Sequence, residues 1–133
     1  LFQLGGVPKG AAGEYFATIA AGKMGGTASA LFFKGMLCNM LVCLAVWCCT
    51  KMKTESGKLI MIFWCIYIFM ACGFEHSIAN MSVMAVGLLN GAGVEGVSIA
   101  GYFHNLLWVT LGNIAGGALL VAFPYYIIQK EKK

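Results

Sequence analysis

The stretch Gly73–Met81, which reads Gly-Phe-Glu-His-Ser-Ile-Ala-Asn-Met, interrupts a run of residues that is otherwise almost purely apolar from Leu59 to Leu89. Glu75 and His76 are the only ionisable groups of that run apart from cysteine and tyrosine. A carboxylate at bilayer depth costs about 2.5 to 3.5 kcal/mol on insertion scales unless it is paired or lines a wet cavity. We therefore interpret the pair as part of a functional site.

The same run is too long for one straight transmembrane helix. Its 31 residues, counted from Leu59 to Leu89, would extend over about 46 Å of helix, against about 30 Å of hydrocarbon. Tilt could absorb part of this excess, whereas a helix break near Gly73 explains both the length and the buried charges. The second half-helix would then point free N–H groups toward the membrane centre, which favours a small anion.

Composition supports a membrane protein and excludes several other classes. The 133 residues are 60% hydrophobic and 11% charged, with a mean hydropathy of +0.82, whereas soluble domains carry about 25% charged residues. The six cysteines lie in apolar runs without a Cys-x-x-Cys pair, so we predict no metal site and no cofactor. Lysines and aromatic residues are not interleaved on a polar surface, so we predict no nucleic-acid partner. The first residue is Leu, and we expect the chain to be a fragment.

The pattern predicts an all-α organisation in two parts. Residues 1–26 read as an extracytoplasmic connection with a short helix at about Glu14–Lys23. Residues 27–133 read as three transmembrane elements, at about 27–50, at 59–89 with the break near Gly73, and at 102–128. The lysines of loop 51–58 and of the C-terminus place both on the cytoplasmic side of a multi-pass protein.

Five residues are candidates for a pathway through the membrane. We expect His76 to face the conduit, because histidine changes protonation near neutral pH, and Glu75 to turn inward as its partner or as a backbone anchor. Phe69, one helical turn before the break, could close a narrow passage, or it could be a packing residue. Lys23 could attract anions at the entrance, or it could be a solvated charge. Asn39 is a pathway residue or a helix-to-helix contact.

Two ordered motifs resemble the signatures of the formate/nitrite transporter family. One is Gly73–Met81, and the other is Lys34–Trp47, which reads Lys-Gly-Met-Leu-Cys-Asn-Met-Leu-Val-Cys-Leu-Ala-Val-Trp, with a leading basic residue that is often Arg in the family. Gly112-Asn113 followed by Gly116-Gly117 matches the last helix of the family. The resemblance covers about residues 13–133.

The resemblance implies a fold and a function. The family's fold is an aquaporin-like bundle of six spans built as two inverted repeats and assembled as a homopentamer in the cell membrane, and this chain would be the second repeat, with its broken central helix. The family is not enzymatic. It moves small monovalent anions of weak acids: formate, nitrite and hydrosulfide. By this resemblance, His76 would be the central pore histidine, with Glu75 beside it. Phe69 would be the aromatic constriction and Lys23 the vestibule lysine. Asn39 and Asn113 would be polar helix residues near the pore.

Two other functions compete with an anion pathway. The first is an aquaporin-type pore for neutral solutes, and the second is a non-conducting scaffold that only packs helices. Lys23 and the dipole of the half-helix favour the anion over the neutral solute. The buried Glu75-His76 pair argues against a scaffold, since ionisable residues at this depth usually mark a pathway.

Overall fold

A computed structural model describes residues 10–90 and 94–131, and every regular element in these residues is helical. Parts of the predicted connection 1–26, of the loop after residue 90 and of the C-terminal tail lie outside the described residues. The elements are α1 (Ala11–Met24), α2 (Ala28–Lys51), α3 (Glu55–Ala71), α4 (Ser77–Asn90), α5 (Ile99–Ala115), a π-helical segment (Gly116–Ala122) and α6 (Phe123–Lys130).

Three helix starts differ from the sequence prediction, and the first is that of α1, which begins at Ala11 rather than near Glu14. The predicted lysine loop at 51–58 is shorter, because α3 begins at Glu55 and takes in Lys58. An acidic residue in the first turn complements the helix dipole, and Glu55 also accepts a hydrogen bond from Lys58 at 2.8 Å. Helix α5 begins at Ile99 rather than near Tyr102, because the Ser98 hydroxyl caps it by accepting a hydrogen bond from the Gly101 N–H.

The helices carry their apolar side chains outward. Helix α2 and the continuous helix Ile99–Lys130, with 24 and 32 residues, are long and apolar enough to cross a membrane, and α4 is a shorter apolar helix. Along α3, large apolar side chains such as Leu59, Phe63 and Met70 are exposed. Polar side chains are buried together with mostly smaller apolar ones, which is the arrangement expected where lipid or other membrane helices cover the outer surface.

Glycines bring α2 and α5 into direct backbone contact. A Cβ atom on Gly112 or on Gly116 would collide with the backbone carbonyls of Phe32 and Met36, respectively. On the facing helix, a Cβ atom on Gly35 would lie 2.7 Å from the Val109 carbonyl oxygen. Small residues at such crossings allow close packing without a large apolar core. This contact fixes α5 beside α2 at the level of the helix break.

The last helix contains a wide turn that the sequence analysis did not predict. The π-helical segment Gly116–Ala122 precedes Pro124, which lies in the first turn of α6. Proline has no N–H to donate to the carbonyl four residues earlier, so the regular α pattern is lost there. Gly117 opens this segment toward α2, since a Cβ atom there would lie 2.8 Å from the Asn39 amide nitrogen.

Candidate functional site at the helix break

The break between α3 and α4 lies where the sequence placed it. Gly73 has φ +64°, in the left-handed region that glycine adopts without strain. The end of α3 is closed by a hydrogen bond from the Phe74 N–H to the Phe69 carbonyl, at 3.0 Å. Residues 74–76 are not helical, and α4 begins at Ser77. The chain therefore presents Glu75 and His76 from a short non-helical segment.

Glu75 is paired with a lysine from another helix. The carboxylate is 7% exposed. Its Oε2 lies 2.8 Å from Nζ of Lys23, on α1. The same oxygen accepts a second hydrogen bond, at 2.5 Å, from Nδ2 of Asn80, on α4. The two predicted roles of Glu75 were partner of His76 and backbone anchor, and the contacts found for its side chain are with Lys23 and Asn80 instead.

A fourth side chain closes this set of contacts into a ring. Asn105, on α5, accepts a hydrogen bond from Nδ2 of Asn80 at 2.9 Å and donates from its own Nδ2 to the backbone carbonyl of Lys23 at 2.8 Å. We name Lys23, Glu75, Asn80 and Asn105 the charged network. The sequence analysis missed Asn80 and Asn105. The available signal was an asparagine within an apolar helix, and both are at most 1% exposed.

A second, uncharged set of contacts holds the backbone of the break. Asn113 donates from Nδ2 to the carbonyls of Gly35 and Glu75, at 2.8 and 3.1 Å. Its Oδ1 accepts from both the N–H and the hydroxyl of Ser77, at 3.0 and 2.9 Å. Asn39 donates to the Asn113 backbone carbonyl at 2.7 Å. We name Asn113, Asn39 and Ser77 the neutral network.

The neutral network bears on two expectations from the sequence. For Asn39 two roles were predicted, and the structure shows one of them, a contact between helices α2 and α5. One of the N–H groups assigned to a substrate anion, that of Ser77 at the start of α4, is capped by Asn113. The dipole of α4 still points its positive end toward the break.

His76 lies beside Phe69 and outside both networks. The two ring centroids are 6.2 Å apart, with an angle of 35° between the ring planes. Within residues 10–90 and 94–131, no hydrogen bond joins the imidazole to another residue. The ring is only partly buried, so both of its nitrogens remain free to donate or accept. Among the predicted site residues, the structure thus joins Lys23 to Glu75, His76 to Phe69, and Asn39 to Asn113.

Comparison with known proteins identifies the family. The protein-family model described as "Formate/nitrite transporter" matches residues 1–127 of the 133. The chain belongs to the formate/nitrite transporter family. It is 47% identical over 110 residues to the nitrite transporter NirC of Escherichia coli (strain K12), which covers 82% of this chain and 40% of the relative. It is 44% identical over 117 residues to a probable formate transporter of Methanothermobacter thermautotrophicus, which covers 85% of this chain and 41% of the relative.

A solved structure described as an FNT family ion channel has the same helical fold. It matches with a TM-score of 0.85 and 38% identity, covering 96% of this chain and 51% of that chain. The chain therefore spans 40% and 41% of the two relatives named above and 51% of the solved channel. These relatives are named as transporters and channels, so the prediction of a non-enzymatic protein is confirmed, as is the prediction of an all-α membrane fold.

Proposed function

We propose that this chain is the second repeat of a transmembrane pathway for small monovalent anions of weak acids, such as formate, nitrite or hydrosulfide. The observation that carries the proposal is that the two ionisable residues in the break differ in their partners. Glu75 is neutralised by Lys23 at 2.8 Å. His76, next in sequence, keeps both ring nitrogens free beside Phe69.

This arrangement suits an anion for electrostatic reasons. An anion that enters an apolar passage loses hydration worth many kcal/mol, so it needs a donor or a proton at the narrowest point. An unpaired carboxylate at this depth would repel it, and Lys23 removes that repulsion. The imidazole of His76 supplies a donor that can also carry a proton near neutral pH. A protonated weak acid is neutral, so it crosses the apolar part of the pathway at a much lower cost.

Phe69 and Lys23 have secondary roles in this proposal. The Phe69 ring lies at the side of the imidazole and forms a constriction that excludes larger solutes. The Lys23 side chain is 22% exposed, and its role is to compensate the charge of Glu75 so that this carboxylate does not repel the anion. Asn39 and Asn113 support the backbone of the break.

The proposal extends to the assembled protein. We propose a cell-membrane protein in which this chain, with a cytoplasmic C-terminus, joins an inverted first repeat, and five such subunits assemble with one pore each. Support comes from the solved channel, of which this chain covers 51%. Among the relatives, one is named as a nitrite transporter and one as a probable formate transporter, which supports both anions as substrates.

A direct test is anion uptake by proteoliposomes that contain the natural full-length protein. We expect His76→Asn to abolish or reshape the pH dependence of formate and nitrite uptake, because asparagine can donate a hydrogen bond but cannot take up a proton. Glu55→Gln is the matched control: it changes an ionisable side chain at the start of α3, far from the break, and should keep the wild-type pH profile. An unchanged pH profile in His76→Asn would remove the proton-carrying role of the imidazole.

A second candidate is an aquaporin-type pore for neutral solutes. The observation in its favour is that the Lys23–Glu75 pair leaves the wall of the break without net charge. Osmotic swelling of the same proteoliposomes separates the two functions. The anion pathway predicts fast swelling in isotonic ammonium formate and slow swelling in isotonic glycerol. The reverse order would favour the neutral-solute pore.

A further inference from the structure

We propose that Asn105 is a positioning residue that sets the geometry of the Lys23–Glu75 ion pair. Its side chain is fully buried on α5 and contacts neither charged group directly. It acts instead on the backbone of Lys23 and on the amide of Asn80, the second donor to Glu75. The inference rests on the proposed function only for its expected effect on anion flux, and not for its effect on the ion pair.

The contacts of Asn105 leave its amide one orientation. Its Nδ2 donates to the Lys23 carbonyl at 2.8 Å, and its Oδ1 accepts from Asn80 at 2.9 Å. A flipped amide would set oxygen against oxygen and nitrogen against nitrogen at these two contacts. Asn80 is fixed in turn, because its Nδ2 has two hydrogens and gives one to Asn105 and one to Glu75. Asn105 thus acts on Glu75 through one intermediate side chain, that of Asn80.

The first turns of α5 hold the end of α1 at several other points. The imidazole of His104 lies 3.1 Å from the Gly26 carbonyl, and the Ser98 N–H lies 3.4 Å from the Met24 sulfur. A Cβ atom on Gly101 would lie 2.7 Å from Cβ of Met24, so the two helices are in close contact. Asn105 is the member of this set that joins the α1 turn to the break.

Two other titratable groups lie near the ion pair. The buried thiol of Cys38, on α2, is close to both Lys23 and Glu75, and His76 follows Glu75 in the break. From α5, the neutral amides of Asn105 and Asn113 reach this region, whereas His104 contacts the Gly26 carbonyl. Loss of Asn105 would free the Asn80 amide to rotate and the Lys23 backbone to shift. The carboxylate of Glu75 would then lose the fixed positions of its two donors, the Asn80 amide and the Lys23 ammonium.

Infrared difference spectroscopy of the natural full-length protein in lipid tests this role. The antisymmetric carboxylate stretch that disappears in Glu75→Gln reports on the hydrogen bonds of that side chain. We expect this band to shift in Asn105→Ala relative to its position in the wild type. Asn105→Ser, which keeps one hydrogen-bonding hydroxyl, should give a smaller shift. Thr110→Ala, a polar-to-alanine change further along α5, is the control and should leave the band where it is.

Formate uptake against pH, measured in the same lipid, supplies a double-mutant cycle. Asn105→Ala should move the uptake profile in the wild-type background and have no further effect on it in the Glu75→Gln background. A wild-type band position in both Asn105 variants, or a profile change of equal size in both backgrounds, would overturn the inference. If no variant and no wild-type protein moves formate while the band still shifts, the inference stands and the proposed function fails.

Discussion

The chain contains two lysine–glutamate pairs with the same N–O distance and different environments. Both distances, Lys23–Glu75 and Lys58–Glu55, are 2.8 Å. The first pair joins α1 to the helix break across 52 positions of sequence, and its side chains are 22% and 9% exposed. The second lies within one turn of α3, with side chains that are 31% and 83% exposed.

The comparison shows that the effect of removing an ion pair depends on how buried it is and on which elements it joins, and not only on its N–O distance. An exposed pair within a helix contributes about 0.2 to 1 kcal/mol and is screened by salt. A buried pair is not in itself a strong source of stability, but removal of one partner leaves a charge without compensation. The Lys23–Glu75 pair is therefore expected to be sensitive to substitution, whereas the Lys58–Glu55 pair mainly helps α3 to begin where it does.

Glu75→Gln should have the largest effect. The substitution keeps the shape of the side chain and removes the negative charge, which leaves the Lys23 ammonium without its partner. We expect a loss of about 2 kcal/mol or more in stability, below the roughly 3 to 5 kcal/mol of fully buried pairs, because Lys23 is partly exposed. Anion uptake should change its pH profile as well. Thermal unfolding and uptake of the natural full-length protein measure both effects, and a loss no larger than that of Glu55→Gln would contradict the comparison.

Lys23→Met should have an intermediate effect. Glu75 then keeps Asn80 as a donor but loses its cation. We expect a loss of stability that is smaller than that of Glu75→Gln and larger than that of Glu55→Gln, because the Asn80 amide still satisfies part of the carboxylate. Thermal unfolding of the natural full-length protein measures this order, and a loss no larger than that of Glu55→Gln would show that the break does not need the cation.

Glu55→Gln should have the smallest effect. Its carboxylate is 83% exposed, and its partner Lys58 can return to solvent. We expect a change of at most about 0.5 kcal/mol, typical of such pairs within a helix, and no change in uptake or in its pH profile. Added salt should remove any remaining difference in stability between Glu55→Gln and the wild type. A substantial loss of uptake in this variant would remove the distinction between the two pairs.

The sequence predicted the break because its signals were local. A glycine, two ionisable residues and an over-long apolar run lie within one segment, and the physics of the bilayer requires an interruption there. This motif also directed attention to His76, and to Phe69 one turn before the break, whereas Asn113 came from the separate Gly112-Asn113 motif. The helix start at Glu55 was missed because hydrophobicity marks the apolar part of a helix and not its polar first turn. The start at Ile99 was missed because the cap by Ser98 was not recognised.

The partner of Glu75 could not be predicted in the same way. Lys23 and Glu75 lie on different helices, and Asn105 reaches them from a third, so the charged network depends on how α1, α4 and α5 pack. Residues adjacent in sequence, such as Glu75 and His76, suggested a pair that the packing does not form. The wide turn before Pro124 was missed because a proline in a helix indicates a disturbance without specifying which kind.

An experimental density map of the natural full-length protein in lipid, determined with and without formate, tests the central claim most directly. The account predicts a continuous passage past the His76 ring, with Phe69 at its side and additional density for the anion within hydrogen-bonding distance of the imidazole. It also predicts that Glu75 remains bound to Lys23 in both maps. A His76 ring enclosed by protein with no passage beside it, or a Glu75 carboxylate bound to His76 in place of Lys23, would contradict the account.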